Sequence, residues 1–278
     1  KYIPNIPHEF NPNYYIISTG ITDRDLERLN DQIEHLRSGG VEPKFICVDV
    51  ANGYMTKLKD FCLQVRELYP NVTIIAGNVV TREIVEELIL NAKVDVVKVG
   101  IGSGSVCTTR LLTGVGMPQL SAVIECADAA HGLDGHIISD GGAVVPGDLS
   151  KAFGGGGDFV MLGSMLSGTD ETPGDIMTVP EIIDGKQVYT KLKAYRGMAS
   201  VEAQTEWRGE AKSLEGISTT IPYKGCVVGV VQNLLQNIRS GLSYTGAKNI
   251  TQLQAKAEFI VQSSASQVES STHILRRN

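Results

Sequence analysis

Short, continuously apolar runs alternate along the chain with longer segments whose apolar residues recur at helical spacing. The apolar runs cover residues 15–18, 45–50, 72–76, 94–99, 136–139 and 159–162. Runs of this length, bounded by Gly or Asp, are typical of strands that are buried on both faces of a parallel sheet. The pattern therefore predicts six parallel strands.

The segments between these runs predict helices. They cover residues 22–37, 54–67, 81–91, 118–131 and 146–153, and two more helices are predicted at 232–240 and 250–256. Thr22 is suited to cap the first helix, and Asp23 and Asp25 in its first turn interact favourably with the helix dipole. Strand and helix thus alternate as β-α units.

Two α/β folds fit this alternation, a doubly wound sheet and a (β/α)8 TIM barrel. No Gly-X-Gly-X-X-Gly motif follows the first strand, and the glycine-rich loops instead follow the last three strands, where TIM barrels bind phosphate. We therefore expect a TIM barrel whose first two strands precede Lys1. Because no linker or change of composition interrupts the chain, we expect one catalytic domain over residues 1–278.

Composition and charge exclude several function classes. The 278 residues are 42% hydrophobic and carry a formal net charge of −6 without a basic stripe, so we expect no nucleic-acid partner. No apolar run approaches the roughly 18 residues of a membrane helix, so we expect neither a membrane span nor a signal peptide. Five cysteines without a Cys-X-X-Cys pair argue against a disulfide framework and favour a reducing, cytoplasmic compartment.

The loop after the fourth apolar run, residues 100–110, has the sequence GIGSGSVCTTR. Its glycines permit positive φ, and carbonyls freed by such a turn are potential cation ligands. Cys107 lies beside two threonines and Arg110 and is a candidate nucleophile, since nearby positive charge favours a thiolate. The alternative is a small buried residue. That is our interpretation of the other four cysteines, which lie in apolar stretches: Cys47, Cys62, Cys126 and Cys226.

Paired small residues end the last two apolar runs. Residues 139–142 are SDGG and residues 162–164 are LGS. Free N–H groups in such loops suit a phosphate, and Asp140 suits a sugar diol, although each glycine pair alone is equally a tight strand–helix turn. Two such loops after consecutive strands favour a nucleotide monophosphate. His131 and His136 lack metal-ligand spacing to an acidic or cysteine cluster, so no zinc site is predicted.

The cysteine loop and several downstream motifs together carry a family resemblance. The stretch GIGSGSVCTTRLLTGVGMPQLSAV, followed downstream by SDGG, LGS, YRGMAS and LEG, resembles the IMP dehydrogenase/GMP reductase family over essentially the whole chain. The cysteine loop is highly specific to that family. The resemblance implies a phosphate-binding barrel in which the cysteine attacks C2 of a purine nucleotide.

The resemblance also implies roles for individual residues. The catalytic set is Cys107 as the nucleophile, with Thr109 and Glu215 as the pair that moves protons at the amino group. The substrate-binding set is Ser105, Asp140, Gly141, Gly142, Gly163, Ser164, Gly197, Met198, Ser200, Lys212 and Gly216. The NADPH side is Lys1, Asp49, Val50, Ala51, Ile101, Gly102 and Met198, and the implied potassium ligands are the carbonyls of Gly102, Gly104, Cys107 and Arg110.

Within the family the chain has features of both branches. Residues 49–54, 76–80 and 118–131 resemble GMP reductases, whereas residues 195–198 and 259–273 resemble IMP dehydrogenases. Only 14 residues separate Ser200 from Glu215, and they lack the Arg-Tyr pair with which the dehydrogenases activate water. The resemblance therefore implies NADPH-dependent reductive deamination of GMP to IMP and ammonia. The alternatives are an IMP dehydrogenase and a purine-nucleotide sensor without turnover.

The same resemblance implies the larger organisation. We expect a mobile flap over about residues 168–220, a C-terminal tail over 257–278 and a homotetramer. Residues 176–183 are an insertion before Asp184. Ala199 and Lys212 depart from the family, whose reductases usually have a serine and an arginine at these positions.

Overall fold

The six predicted apolar runs form one parallel sheet in the computed structural model, which describes residues 11–183, 185–197, 200–208 and 216–272. The strands pair in chain order, each with the next, and the sheet curls as part of a (β/α)8 barrel. Its strands are β1 (Ile17–Thr19), β2 (Phe45–Asp49), β3 (Thr73–Val79), β4 (Val96–Val99), β5 (His136–Asp140) and β6 (Phe159–Met161). The predicted barrel fold is confirmed.

The predicted helices are confirmed, and the structure adds three short ones and one 3-10 turn, Pro12–Tyr14. The helices are α1 (Asp23–Ser38), α2 (Thr56–Leu68), α3 (Arg82–Leu90), α4 (Thr109–Thr113), α5 (Gln119–His131), α6 (Pro146–Gly154), α7 (Val201–Arg208), α8 (Val227–Tyr244), α9 (Ile250–Lys256) and α10 (Ser264–Glu269). Thr22 caps α1 as predicted, in a reciprocal capping box with Asp25. In the described residues no helix combines the length and apolar character needed to cross a bilayer.

Both faces of the parallel sheet are buried along its central strands, β2 to β5, which explains their near-continuous apolar runs. One face packs against the helices and includes Ile46, Ile74, Val97 and Ile137, all with 0% exposure. The alternate residues of the same strands form a second, smaller apolar layer inside the barrel: Cys47, Ile75, Val96 and Ile138. Because side chains alternate along a strand, the residues two positions beyond this layer also project into the barrel.

The region predicted as a flap contains a three-stranded antiparallel sheet that the apolar pattern did not predict. Its strands are β7 (Ile176–Ile183), β8 (Lys186–Arg196) and β9 (Ser218–Pro222), paired in that order. Most described side chains of β8 and β9 are exposed. Strands solvated in this way lack the apolar contrast on which the pattern depends.

Candidate active site

Cys107 lies in the loop between β4 and α4. Its Sγ donates to Oγ1 of Thr109 at 3.1 Å, and its backbone N–H donates to the Gly104 carbonyl at 3.0 Å. The side chain is half-buried, so the thiol is neither sealed in the core nor fully solvated. The structure therefore brings the predicted nucleophile and the predicted proton-transfer hydroxyl into contact.

The other cysteines differ from Cys107 in their surroundings. Burial raises the pKa of Cys47, Cys62 and Cys126 to about 12 each, which keeps these thiols protonated at neutral pH. The prediction that Cys226 is buried is wrong. Cys226 directly precedes α8 and is exposed, and its thiol donates to Oε1 of Glu171 at 3.2 Å.

Arg110 closes the cysteine loop. Its Nε donates to the Ile101 carbonyl at 3.2 Å, and its terminal nitrogen donates to the Met117 carbonyl. Gly102 packs against this side chain with φ of +76°, and a Cβ there would lie 2.9 Å from the Arg110 Nε. The guanidinium thus fixes the shape of the loop, and Gly102 is required for its close approach.

Asp140, predicted to bind a sugar diol, is the last residue of β5. Its Oδ2 accepts from Nδ2 of Asn78 at 2.9 Å and forms an ion pair with Lys98, and its carbonyl accepts from Oγ of Ser103 at 2.8 Å. Gly141 and Gly142 follow with positive φ, packed beside the Ser103 loop. The SDGG segment and the cysteine loop therefore form one continuous surface.

A buried lysine connects this surface to the predicted cofactor side. Lys98 Nζ lies 3.0 Å from Oδ1 of Asp49 and also contacts Asp140. Burial acts to lower the pKa of Lys98, but the two carboxylates outweigh it and raise that pKa. Sequence reasoning missed both Lys98 and Asn78. The available signal was a charged residue inside the apolar run 94–99.

The remaining predicted cofactor residues lie at the ends of β2 and β4. Val50 is fixed by two backbone hydrogen bonds of 2.8 Å, from its N–H to the Gly77 carbonyl and from the Asn78 N–H to its own carbonyl. Ala51 is exposed and Ile101 is buried. The structure therefore places these residues at the same end of the barrel as the cysteine loop.

The antiparallel sheet contacts the cysteine loop through backbone hydrogen bonds. The Ile217 N–H donates to the Val106 carbonyl at 3.2 Å, and the Gly197 N–H donates to the Ile217 carbonyl at 3.1 Å. Gly216 pairs with Cys107 in an antiparallel bridge. Gly197 and Gly216, which lie far along the chain from Cys107, are thus brought beside it.

Two predicted substrate-binding hydroxyls lie at this junction. Oγ of Ser105 is 2.9 Å from Oη of Tyr195, the residue two before Gly197. Ser200 is fully buried and directly precedes α7, with its Oγ accepting from the Ala203 N–H at 3.3 Å. The contact between Ser105 and Tyr195 joins the cysteine loop to β8 by side chains as well as by backbone.

The loop after β6 holds Gly163 and Ser164. A Cβ on Gly163 would meet nothing within 4 Å, so this backbone is open. The Ser164 carbonyl accepts from Nζ of Lys224 at 3.1 Å, which ties the loop to the segment before α8. Four further site residues of the sequence analysis lie outside the described part of the chain: Lys1, Met198, Lys212 and Glu215.

Buried polar side-chain atoms without a hydrogen-bond partner mark the same end of the barrel. In the described residues there are three: Oδ1 of Asn78, Oγ1 of Thr108 and Oε1 of Gln119. Asn78 lies at the end of β3, and Thr108 and Gln119 lie after β4, directly before α4 and at the start of α5. Because buried polar atoms are nearly always hydrogen-bonded in native proteins, these atoms are sites for a polar ligand or an ordered water.

A family profile and similar proteins of known function all point to the same protein family. The sequence profile of the IMP dehydrogenase / GMP reductase domain matches residues 13–273. GMP reductase of Caenorhabditis elegans is 52% identical over 251 residues, which are 89% of this chain and 66% of that protein. GMP reductase 1 of Mus musculus is 49% identical over 88% of this chain and 68% of its own length.

A solved structure shares the fold as well. A cysteine-to-alanine variant of GMP reductase from Trypanosoma brucei, in complex with guanosine 5′-monophosphate, superposes with a TM-score of 0.81 at 36% identity. The match covers 92% of this chain and 51% of that one. The chain thus spans about two thirds of the length of the curated relatives and about half of the solved chain.

Proposed function

The chain belongs to the IMP dehydrogenase / GMP reductase family, and we propose that it catalyses the NADPH-dependent reductive deamination of GMP to IMP and ammonia. The observation that carries this proposal is the contact between Cys107 Sγ and Thr109 Oγ1 in a loop joined to Asp140. These contacts bring a thiol, a hydroxyl and a carboxylate to one surface, which supports the proposed roles of nucleophile, proton relay and ribose contact. The names of the similar proteins support the same reaction.

The proposed chemistry begins at Cys107. The thiolate adds to C2 of the purine, forming an S–C2 bond, and the bond from C2 to the exocyclic amino nitrogen then breaks so that ammonia leaves. Thr109 accepts and relays the proton that departing ammonia needs, with Glu215 as its partner. NADPH, when bound, supplies the hydride that reduces C2. Cys107 is then expelled as thiolate, which restores the enzyme.

The nucleotide is held by the loops around Cys107. Asp140 accepts hydrogen bonds from the ribose hydroxyls, since a carboxylate at a strand end suits a diol. The remaining proposed contacts to phosphate and base are Ser105, Gly141, Gly142, Gly163, Ser164, Gly197, Met198, Ser200, Lys212 and Gly216. The open backbone at Gly163 supports a phosphate contact there, because nothing within 4 Å fills the space above it.

The residues at the ends of β2 and β4 fit a nicotinamide dinucleotide. The unpartnered Oδ1 of Asn78 lies near the end of β3, between the segments that carry Asp49 and Ile101. Ala51 is exposed and adds no bulk. The residues that would hold the dinucleotide are Lys1, Asp49, Val50, Ala51, Ile101, Gly102 and Met198.

The cysteine loop also has the donor chemistry of a potassium site, because backbone carbonyls are the ligands that bind this ion in proteins. The Gly104 and Arg110 carbonyls accept from the N–H groups of Cys107 and Gly114, at 3.0 and 3.1 Å. Each carbonyl oxygen has a second lone pair that a cation can use. Together with the carbonyls of Gly102 and Cys107 they would hold the ion and stiffen the loop.

The proposed assembly is a homotetramer in the cytoplasm, built from one catalytic domain with a mobile flap. Exposed apolar side chains at the start of the C-terminal tail, Phe259, Ile260 and Val261, support contact with a neighbouring copy. Sedimentation of the full chain tests this. A single tetrameric species is expected, and a monodisperse monomer would contradict it.

An IMP dehydrogenase is the second candidate function. The segments at 195–198 and 259–273 favour it, but the missing Arg-Tyr pair between Ser200 and Glu215 leaves no base for hydrolysis of the covalent purine. The test is to incubate the full chain with GMP and NADPH, and separately with IMP and NAD, and to follow absorbance at the nicotinamide band. We expect NADPH oxidation with GMP. If NAD is reduced with IMP and NADPH is not oxidised with GMP, the protein is an IMP dehydrogenase. If the nucleotides bind and neither reaction occurs, the protein is a sensor.

A further inference from the structure

The barrel interior carries a charged layer directly above its apolar layer. The apolar layer is Cys47, Ile75, Val96 and Ile138. Side chains two residues further along a strand face the same side of a sheet. The next layer is therefore formed by Asp49, Gly77, Lys98 and Asp140. An acid, a glycine, a lysine and an acid occupy four consecutive strands.

Glycine in this layer gives the lysine its reach. Gly77 lies opposite both Asp49 and Lys98 in the sheet register, and a Cβ there would lie 2.8 Å from the Cβ of Lys98. Because Gly77 has no side chain at this level of β3, the Lys98 side chain crosses β3 there. Its ammonium contacts Asp49 on β2 at 3.0 Å. The same ammonium contacts Asp140 on β5.

Each carboxylate gives the lysine one oxygen. Asp140 uses Oδ2 for both Lys98 and Asn78, and Asp49 uses Oδ1 for Lys98. Among the contacts of the described residues, Oδ1 of Asp140 and Oδ2 of Asp49 remain for a ligand. Lys98 itself is only 3% exposed, so its effect on a bound ligand would be exerted through the two carboxylates that it contacts.

The geometry points to Lys98 as a positioning residue that aims the free oxygen of Asp140 at the ribose and the free oxygen of Asp49 at the dinucleotide. This inference rests on the proposed function, which assigns those two ligands. Charge-assisted hydrogen bonds of this kind fix orientation as well as charge. One buried cation is thereby shared by the two halves of the site.

The test compares binding of GMP and of 2′,3′-dideoxy-GMP to the full chain by titration calorimetry. Lys98→Met should reduce the preference for GMP over the dideoxy analogue by about tenfold, since a misaimed carboxylate no longer pairs with the hydroxyls. Adding Lys98→Met to Asp140→Asn should change that preference little further, because the two act as one unit. Lys98→Arg, which keeps the charge, should restore part of the preference.

The dinucleotide half gives an independent readout. Lys98→Met should weaken binding of NADP by about tenfold. Adding Lys98→Met to Asp49→Asn should weaken it little more than Asp49→Asn alone. An unchanged affinity for NADP would overturn the assignment of Lys98 to both halves.

Lys193 offers a matched control. It is also 3% exposed, but its ammonium donates to the carbonyls of Thr169 and Thr172, at 2.9 and 2.7 Å, and to no carboxylate of the described residues. Lys193→Met should lower the melting temperature and leave the preference for GMP over its dideoxy analogue as it is. A loss of preference in both lysine variants would show a general effect of removing a buried cation and would overturn the inference.

The remaining outcomes separate this inference from the proposed function. If the unsubstituted chain binds GMP no better than the dideoxy analogue, the proposed ribose contact fails. If the unsubstituted chain discriminates and Lys98→Met discriminates equally well, Lys98 is only structural. Should Lys98→Met not fold, Lys98→Gln, which keeps a hydrogen-bond donor without the charge, takes its place. The same ratio of affinities for GMP and 2′,3′-dideoxy-GMP then tests the role of Lys98.

Discussion

The two sheets of the molecule are stabilised in different ways. In the parallel sheet all four residues of β4 are buried, and apolar layers cover both faces. In the antiparallel sheet Ile182 is 80% exposed and Tyr189 is 66% exposed. Apolar burial therefore stabilises the first sheet, whereas backbone pairing and contact with the cysteine loop hold the second.

The parallel sheet is the scaffold of the candidate site, and the antiparallel sheet completes it. Lys98 and Asp140 lie in strands of the parallel sheet and Cys107 lies in the loop after β4, where dense packing fixes their positions. Gly197 follows β8 and Gly216 precedes β9 of the antiparallel sheet, and both are held near Cys107 mainly by backbone contacts. Loops and weakly buried elements are where proteins place segments that must adapt to a ligand.

The largest expected effect is on the chemistry carried by the parallel sheet. Cys107→Ser should lower kcat by roughly three or more orders of magnitude, because loss of a nucleophile removes the covalent route. Binding of GMP should remain measurable, since its ribose contact lies elsewhere. Cys226→Ser, at an exposed cysteine, is the control and should keep full activity. Retention of more than a few per cent of activity in Cys107→Ser would refute the assignment.

The same substitution made once in each sheet tests their energetic difference. Ile74→Ala in β3, at 0% exposure, should cost about 2–5 kcal/mol of unfolding free energy through lost burial and a cavity. Ile182→Ala in β7 should change it by less than about 0.5 kcal/mol. Chemical denaturation measures both variants. Equal losses would show that the antiparallel sheet is also part of the core.

A third prediction concerns ribose binding at the end of β5. Asp140→Asn should weaken GMP about 100-fold more than it weakens 2′,3′-dideoxy-GMP, because only the natural nucleotide loses its charged acceptor. Direct binding measurements with both ligands provide the ratio. Similar weakening of the two ligands would indicate that Asp140 only supports the loop.

The smallest expected effect is at the junction of the two sheets. A Cβ on Gly197 would lie 3.0 Å from Cγ2 of Val106, so Gly197→Ala should displace the antiparallel sheet from the cysteine loop. We expect kcat to fall roughly tenfold with little change in melting temperature, since the barrel core is untouched. Gly147→Ala, where a Cβ meets nothing within 4 Å, is the control. Unchanged kcat in Gly197→Ala would show that this contact is dispensable.

The different burial of the two sheets also explains which strands and site residues could be predicted from the sequence. Strands β2 to β5 were found because burial on both faces leaves a continuous apolar run, and Thr22 was found because its capping box is local. Strands β7 to β9 were missed because their exposed side chains lack periodic contrast. Lys98 was missed because its partners, Asp49 and Asp140, come from strands that only the fold brings together.

In the proposed reaction, hydride from NADPH replaces the amino group at C2 of GMP. Incubating the full chain with GMP and NADPH deuterated at both C4 hydrogens, followed by mass analysis of the nucleotide product, tests this directly. We predict IMP that carries one deuterium at C2, with no product from Cys107→Ser. Formation of XMP, or of IMP without deuterium, would contradict the proposed reaction.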